Sequence, residues 1–198
     1  MAVDDMSVEK SDLRRLALAR RDALAPDYRR DAAAGVARHW RDLPVTGAET
    51  VSAFLPIKSE IDIQPLVRKL RSRVNRIVLP VVVSKQDIEF RLWIDDDSLV
   101  QAGFGTLGPG PQAPVIDPDL LLVPLAAYDD HGGRIGYGAG YYDRAITRIS
   151  AQKPLLCIGV AFAAQEVEKV PMEPHDRRLD MMLTEAGLVW CDKGGKRA

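Results

Sequence analysis

The segment GGRIGYGAGYYDRAI, residues 132–146, holds the densest set of residues in the chain that could do chemistry. Its five glycines are interspersed with Arg134, three tyrosines and Asp143. Glycines at 136, 138 and 140 remove side chains from alternate residues, so consecutive backbone N–H groups can turn towards one anion. A helix predicted to begin at Tyr141 adds its N-terminal amides. The pattern predicts an anion site where a strand passes into a helix.

The strength of binding that such amides provide indicates what else the site needs, because a helix terminus contributes only about 0.3–2 kcal/mol per charge. Micromolar binding requires about 8 kcal/mol. Arg134 can add a forked cation, and Asp143 a hard oxygen ligand for Mg²⁺. Together they favour a magnesium-bound nucleotide over bare phosphate. The alternative is a tight turn without a ligand, in which Asp143 is only an acidic residue at the start of the helix. This alternative stays open because the segment matches neither the G-x-G-x-x-G nor the P-loop pattern.

Runs of apolar residues predict the elements that position this segment. Buried strands are expected at TVSAFLPI, RIVLPVVV, DLLLVPLAAY and PLLCIGVAF, a half-exposed strand at IEFRLW, and the last within RLDMMLTEAGLVW. Helices are expected from a Ser7 cap to Leu24, from Pro26 to Trp40, from an Asp62 cap to Arg71, and from Tyr141 to Ile149. A helical turn is expected at Asp95–Ser98, followed by a Gly/Pro-rich loop, GFGTLGPGPQAPVIDP.

Strands that are apolar on both faces and alternate with helices indicate a sheet covered on both sides. We therefore predict the α/β class, as a single three-layer domain over residues 1–190. Its sheet would be mostly parallel or mixed, with helices on both faces, and residues 191–198 would be a disordered tail. Ligands of such sheets bind at the carboxyl ends of strands, which is where the glycine-rich segment lies.

Composition restricts the class of partner. The net charge is −1 and the pI is near 6.3, whereas nucleic-acid and membrane-surface proteins carry basic faces. Cys157 and Cys191 fit no metal spacing. The acidic first ten residues lack the apolar core of a secretory signal, and no apolar run approaches the roughly 20 residues of a membrane span. We expect a cytoplasmic protein without a nucleic-acid or membrane partner.

The stretch VPLAAYDDHGGRIGYGAGYYDR resembles the signature of the 5-formyltetrahydrofolate cyclo-ligase family, also called 5,10-methenyltetrahydrofolate synthetases. KSDLR, FLPIKSEID, FGTLGP and HDRRLD resemble further family blocks in the same order, from Lys10 to Thr184. The resemblance implies ATP- and Mg²⁺-dependent closure of 5-formyltetrahydrofolate to 5,10-methenyltetrahydrofolate, with release of ADP and phosphate. The formyl oxygen would be phosphorylated and then displaced after attack by N10, in a monomer acting on small molecules.

The resemblance also implies roles for individual residues. Catalytic residues would be Lys10, Arg134 and Tyr142. ATP would contact Lys10, Ser11, Asp12, Leu13, Arg14, Arg134, Ile135, Gly136, Tyr137, Gly138, Ala139, Gly140, Tyr141 and Tyr142. The folate would contact Leu55, Glu60, Phe104, Tyr137, Gly138, Ala139, Gly140 and Tyr141. Magnesium would be held by Asp143 and Asp180.

Several of these residues have simpler interpretations without the resemblance. Lys10 and Arg14 would form a solvated helix face, Glu60 a loop charge, and Asp180 a strand-end charge. His175 is expected to be solvated rather than a ligand. Ala139, Gly108 and Ile63 depart from residues common in the family. Two other functions stay open: a nucleotide- or folate-binding protein without turnover, and a sugar-phosphate enzyme with a similar anion loop.

Overall fold

The computed structural model describes residues 3–95, 99–101 and 106–192. Within these residues the helices are α1 (Val3–Asp22), α2 (Pro26–Arg38), α3 (Gln64–Leu70) and α4 (Tyr141–Ser150). The strands are β1 (Thr50–Ser52), β2 (Arg76–Val82), β3 (Ile88–Leu92), β4 (Leu99–Gln101), β5 (Leu107–Pro109), β6 (Leu120–Pro124), β7 (Ala127–Tyr128), β8 (Arg134–Ile135), β9 (Leu156–Val160), β10 (Met181–Thr184) and β11 (Gly187–Trp190).

The main sheet has seven strands in the order β11-β10-β9-β6-β1-β2-β3. The five central strands run parallel, and β3 and β11 pair antiparallel at the two edges. The mixed α/β sheet is therefore confirmed. From β1 the chain passes to β2 on one side, and later returns through β6 on the other. The loops that follow β1 and β6 diverge at this switch point, which opens a crevice at the carboxyl ends of the strands.

Alternate residues of each central strand enter opposite faces of the sheet, which produces two large cores. Leu120 and Leu122 of β6 pack with α2 and α3, whereas Leu121 and Val123 pack with α4. A third, smaller cluster lies beneath α1, where Ala17 meets Ala127, Ile135 and Val170. Helices on both faces give the three predicted layers, and the boundary at residue 190 stays a prediction.

Local predictions differ from the structure at several places. The residue before α3 is Ile63 rather than the predicted Asp62 cap, although Oδ1 of Asp62 accepts the N–H of Gln64 at 2.9 Å. The α1 helix begins at Val3, so the predicted Ser7 cap is wrong. The helical spacing of apolar residues begins only later in the segment, but the polar first turns are helical as well. Within the predicted Gly/Pro-rich loop, β5 pairs antiparallel with β4, because a two-stranded ribbon tolerates glycine and proline at its edges. The segment expected to hold one last strand forms the β10–β11 hairpin.

Some predictions lie outside the described residues, namely most of the helical turn at Asp95–Ser98 and residues 193–198 of the tail predicted over 191–198. None of the described helices combines the length and the apolarity needed to cross a membrane.

Candidate active site

A cavity of about 870 Å³ opens at the switch point, beside the carboxyl ends of β1, β2 and β6. Its walls come from the first half of α1, the loop after β1, the glycine loop (residues 132–140) and residues 173–176. The volume lies in the range of small-molecule sites. The structure brings together these predicted residues in its lining: Lys10, Ser11, Arg14, Leu55, Glu60, Arg134, Ile135, Gly136, Tyr137, Gly138, Ala139, Gly140, Tyr141, Tyr142 and Asp143.

The glycines of the loop serve different purposes. Gly140 precedes α4 in the left-handed region at φ +67°, a conformation that favours glycine, and no described side chain caps the helix there. Gly136 is different, because a Cβ at this position would meet no described atom within 4 Å and its residue lines the cavity. Internal packing therefore does not require glycine at 136. The open space suits close approach of a ligand to the backbone.

Asp129 anchors the loop from below, a role that the sequence analysis missed. Its carboxylate is 2% exposed and accepts the backbone N–H groups of His131, Gly133 and Val170 at 2.7–3.0 Å. The sequence feature that could have indicated this role is the position of Asp129 immediately after a buried strand, where an aspartate side chain can hydrogen-bond to the backbone of a turn.

The α1 helix brings two cations to the cavity. Arg14 donates from Nε to the carbonyl oxygen of Gly136 at 2.7 Å. Lys10 donates from Nζ to Glu173 at 2.6 Å and to Asp176. Burial alone would lower the pKa of Lys10, but its hydrogen bonds and ion pairs with Asp176 and Glu173 raise that pKa above its ordinary value. Lys10 therefore stays a cation at neutral pH.

Arg134 and Asp143 form an ion pair beside the glycine loop. Nη2 of Arg134 lies 2.8 Å from Oδ1 of Asp143, and Nη1 donates to the carbonyl of Arg177. The backbone N–H of Arg177 also donates to Oδ1 of Asp143, at 2.9 Å. Both predicted residues are thus in the site, where each partly neutralises the other.

Residues 173–176 contribute carboxylates that the sequence analysis did not select. Ligand atoms of Glu173, His175 and Asp176 lie within 4.8 Å of one another, and all three residues line the cavity. Hard carboxylate oxygens in this cluster and at Asp143 suit Mg²⁺. The HDRRLD block contained the signal, but its two aspartates could not be distinguished without the fold.

Another part of the cavity wall is more apolar and carries Leu55, Ile57 and Leu79 together with Glu60. Burial raises the pKa of Glu60 above its ordinary value, against the backbone N–H of Ile57 and the charges and hydrogen bonds of Arg21, Tyr137 and Lys58. Burial likewise raises the pKa of Tyr142, so this phenol stays protonated at neutral pH. The wall thus combines apolar surface with one carboxyl group.

Four predicted residues are not in the described lining of the cavity. Oδ2 of Asp180 accepts the N–H of Cys157 at 2.8 Å, next to the central sheet, whereas Asp176, four residues earlier, lines the cavity. Asp12 pairs with Arg15 on the exposed face of α1, and Leu13 packs against the cluster beneath that helix. Phe104 lies outside the described residues.

Comparison with known proteins gives a match over almost the whole chain. The model of the 5-formyltetrahydrofolate cyclo-ligase family matches residues 6–185. The chain belongs to the 5-formyltetrahydrofolate cyclo-ligase family. The resemblance seen in the sequence is therefore confirmed.

Two bacterial members of the cyclo-ligase family show the extent of the similarity. The 5-formyltetrahydrofolate cyclo-ligase of Escherichia coli K12 is 32% identical over 178 residues, which cover 86% of this chain and 97% of the relative. That of Mycolicibacterium smegmatis is 32% identical over 189 residues, covering 91% and 96%. The NMR structure of Aquifex aeolicus 5,10-methenyltetrahydrofolate synthetase aligns with a TM-score of 0.79 at 28% identity, over 96% of this chain and 95% of that one.

Proposed function

We propose that this member of the cyclo-ligase family converts 5-formyltetrahydrofolate to 5,10-methenyltetrahydrofolate, using ATP and Mg²⁺ and releasing ADP and phosphate. One observation carries the proposal: a single cavity joins a wall of glycine backbone and cations to a wall of apolar side chains with one carboxyl group. The first wall suits a triphosphate, and the second suits a pterin. Both substrates would therefore meet in one site.

The phosphate wall is formed by Lys10, Arg14 and the glycine loop. Lys10 keeps its charge through its paired carboxylates, and Arg14 is held against Gly136 by its hydrogen bond. The first N–H groups of α4 have no helical acceptor and no described side-chain cap, so they can donate to phosphate oxygens. We assign catalytic roles to Lys10 and Arg134 because cations near the transferred group offset the charge that develops on it.

The residues present fit a magnesium ion. Asp143 and Asp176, with Glu173 beside Asp176, would hold it, and we propose Asp176 rather than Asp180 for this role because Asp176 lines the cavity. When bound, Mg²⁺ neutralises charge on phosphate oxygens and orients them. Lys10 would exchange its carboxylate partners for phosphate oxygens as the nucleotide binds.

The folate wall would receive the pterin between Leu55 and the side chains of Tyr137 and Tyr141. The flat ring can lie against aromatic side chains, and the Glu60 carboxylate can accept N–H groups of the pterin. We keep Phe104 as a proposed folate contact.

The chemistry needs positioning more than a covalent nucleophile. The formyl oxygen on N5 attacks the γ-phosphorus of ATP, and ADP leaves. N10 then attacks the activated formyl carbon, loses its proton, and phosphate departs with the original formyl oxygen. The chain holds the two substrates in contact and stabilises charge on the transferred group. Protonated Tyr142 lines the same cavity and can donate a hydrogen bond to an oxygen of that group.

Turnover tests the proposal directly. Purified protein given 5-formyltetrahydrofolate, ATP and Mg²⁺ should develop the absorbance of the methenyl product. Binding of both ligands without that absorbance would favour a binding protein. Stabilisation by sugar phosphates, and none by Mg-ATP, would favour the sugar-phosphate enzyme.

We also propose that the protein acts as a cytoplasmic monomer on small molecules alone, without a nucleic-acid or membrane partner. Its net charge of −1 supports the proposal that it has no nucleic-acid or membrane partner. Light scattering coupled to gel filtration would measure the oligomeric state.

A further inference from the structure

Arg21, in the last turn of α1, is a charged residue in a buried place. Its exposure is 1%, whereas the neighbouring Arg20 is exposed. Arginine is rarely so buried without an ionic partner. Yet no ion pair within 4.0 Å among the described residues includes Arg21. Its burial therefore needs another explanation.

The guanidinium of Arg21 joins two loops of the cavity to α1. Nε donates to the hydroxyl of Ser59 at 2.9 Å, and Nη2 donates to the hydroxyl of Tyr137 at 2.7 Å. Nη1 is buried and has no hydrogen-bond partner among the described residues. These two contacts from one rigid fork fix the distance between the loop after β1 and the glycine loop.

Tyr137 is held on more than one side by this arrangement. The guanidinium carbon of Arg21 lies 5.7 Å from the centre of the Tyr137 ring, and Nζ of Lys58 lies 5.4 Å from it. Lys58 is also the one non-glycine residue of the described chain with a positive φ, at 53°. A strained loop residue and a buried arginine thus both contact the same ring, which lines the cavity.

The same group influences Glu60. The titratable groups that act on this carboxyl are Arg21 from α1, Lys58 from its own loop, and the phenols of Tyr137 and Tyr142. Arg21 and Lys58 favour its ionised form, against burial. Arg21 therefore interacts with both the Tyr137 hydroxyl and the Glu60 carboxyl group, the two polar groups of the folate wall.

We propose that Arg21 is a positioning residue for the folate subsite, which fixes Tyr137 against the Ser59–Glu60 loop so that the phenol ring and the Glu60 carboxylate meet the pterin together. The inference rests on the proposed function, because that function assigns Tyr137 and Glu60 to folate. Arg21 itself does not line the cavity and would act through these two side chains.

The test compares Arg21→Lys and Arg21→Met with Arg20→Met, the exposed arginine one position earlier. Lysine keeps the charge but cannot span both hydroxyls. In both Arg21 variants the KM for 5-formyltetrahydrofolate should rise about tenfold, with the KM for ATP within about twofold, because one charged hydrogen bond is lost at the folate wall. Arg20→Met should leave both constants unchanged. Equal rises in both KM values would overturn the proposal, since a purely structural role would affect the whole cavity.

A double-mutant cycle with Tyr137→Phe separates positioning from folding. If Arg21 acts through the Tyr137 hydroxyl, Arg21→Lys should change the folate KM much less in the Tyr137→Phe background than in the wild type. Fully additive effects would contradict the proposal. This cycle uses the charged variant, so it is informative even where Arg21→Met does not fold.

The pH profile provides a second readout. Removing the cation in Arg21→Met should move the acid limb of folate binding to higher pH, whereas Arg21→Lys should leave it in place. An unmoved limb in Arg21→Met would show that Arg21 does not act on Glu60.

Failure of the proposed function can be told apart from failure of this inference. If the wild type has no turnover but binds 5-formyltetrahydrofolate, the dissociation constant of that ligand replaces KM in every comparison. Lack of any folate binding by a folded wild type would overturn both.

Discussion

The Arg134 guanidinium lies 2.8 Å from Oδ1 of Asp143, across the base of the glycine loop. A cation suited to phosphate and a carboxylate suited to a metal thus hold each other in place within one cavity. Asp143 also accepts the N–H of Arg177, which ties the pair to the segment that carries Asp176. Under the proposed function, Mg-ATP would separate this pair without leaving either charge unpaired, because a phosphate would pair with the guanidinium and the metal with the carboxylate.

Removing the Arg134 side chain should lower the rate of the reaction more than it lowers the stability of the fold. We expect Arg134→Ala to lower kcat/KM by about 10²–10³, the typical effect of losing one group that stabilises transition-state charge. Steady-state kinetics would measure it, with Arg68→Ala on the exposed surface of α3 as the control. An unchanged kcat/KM would remove Arg134 from its proposed role.

The carboxylates should differ in their effect on magnesium. Asp143→Asn and Asp176→Asn should each raise the Mg²⁺ concentration needed for half-maximal activity by about tenfold or more, because each loses a charged oxygen ligand. Asp180→Asn should not, since its amide oxygen can still accept the N–H of Cys157. A higher requirement in Asp180→Asn, with none in Asp176→Asn, would restore the assignment made from the sequence.

Gly136 and Gly140 of the glycine loop should respond differently to substitution by alanine. Gly136→Ala meets open space, so its melting temperature should stay that of the wild type while the KM for ATP rises about tenfold through a Cβ in the cavity. Gly140→Ala adopts φ +67° and should lose about 1 kcal/mol of folding free energy. Thermal unfolding and ATP titration would measure the two effects. A stability loss at 136 with unaltered ATP binding would show that this glycine serves packing alone.

Glu60 should make stability depend on pH. Because burial raises its pKa above the ordinary value of 4.5, the protonated form is favoured in the folded state, and the stability it contributes is lost as pH rises through the folded pKa. The Gln side chain of Glu60→Gln cannot ionise, so the melting temperature of this variant should rise relative to that of the wild type as the pH is raised from 4.5 to 8. Its KM for the folate substrate should increase. If the melting temperatures of the two proteins changed in parallel across this pH range, the raised pKa of Glu60 would be contradicted.

The sequence was sufficient for the α/β class because its strands are apolar on both faces and its glycine loop follows a buried strand. It could not distinguish Asp176 from Asp180, which stand four residues apart in an irregular segment of mixed charge. In the fold, Asp180 accepts the backbone N–H of Cys157, whereas Asp176 pairs with Lys10 in the lining of the cavity. Nor could it distinguish Arg20 from Arg21, because α1 turns one towards solvent and the other towards Ser59. Long-range packing decides both cases.

The measurement that bears most directly on the central claim is a crystal structure with Mg²⁺ and a non-hydrolysable ATP analogue. We predict that its phosphates contact the backbone N–H groups of residues 136–142, with Lys10 and Arg14 beside them and the metal at Asp143 and Asp176. Phosphates bound elsewhere, with the glycine loop closed against its own core, would contradict the account.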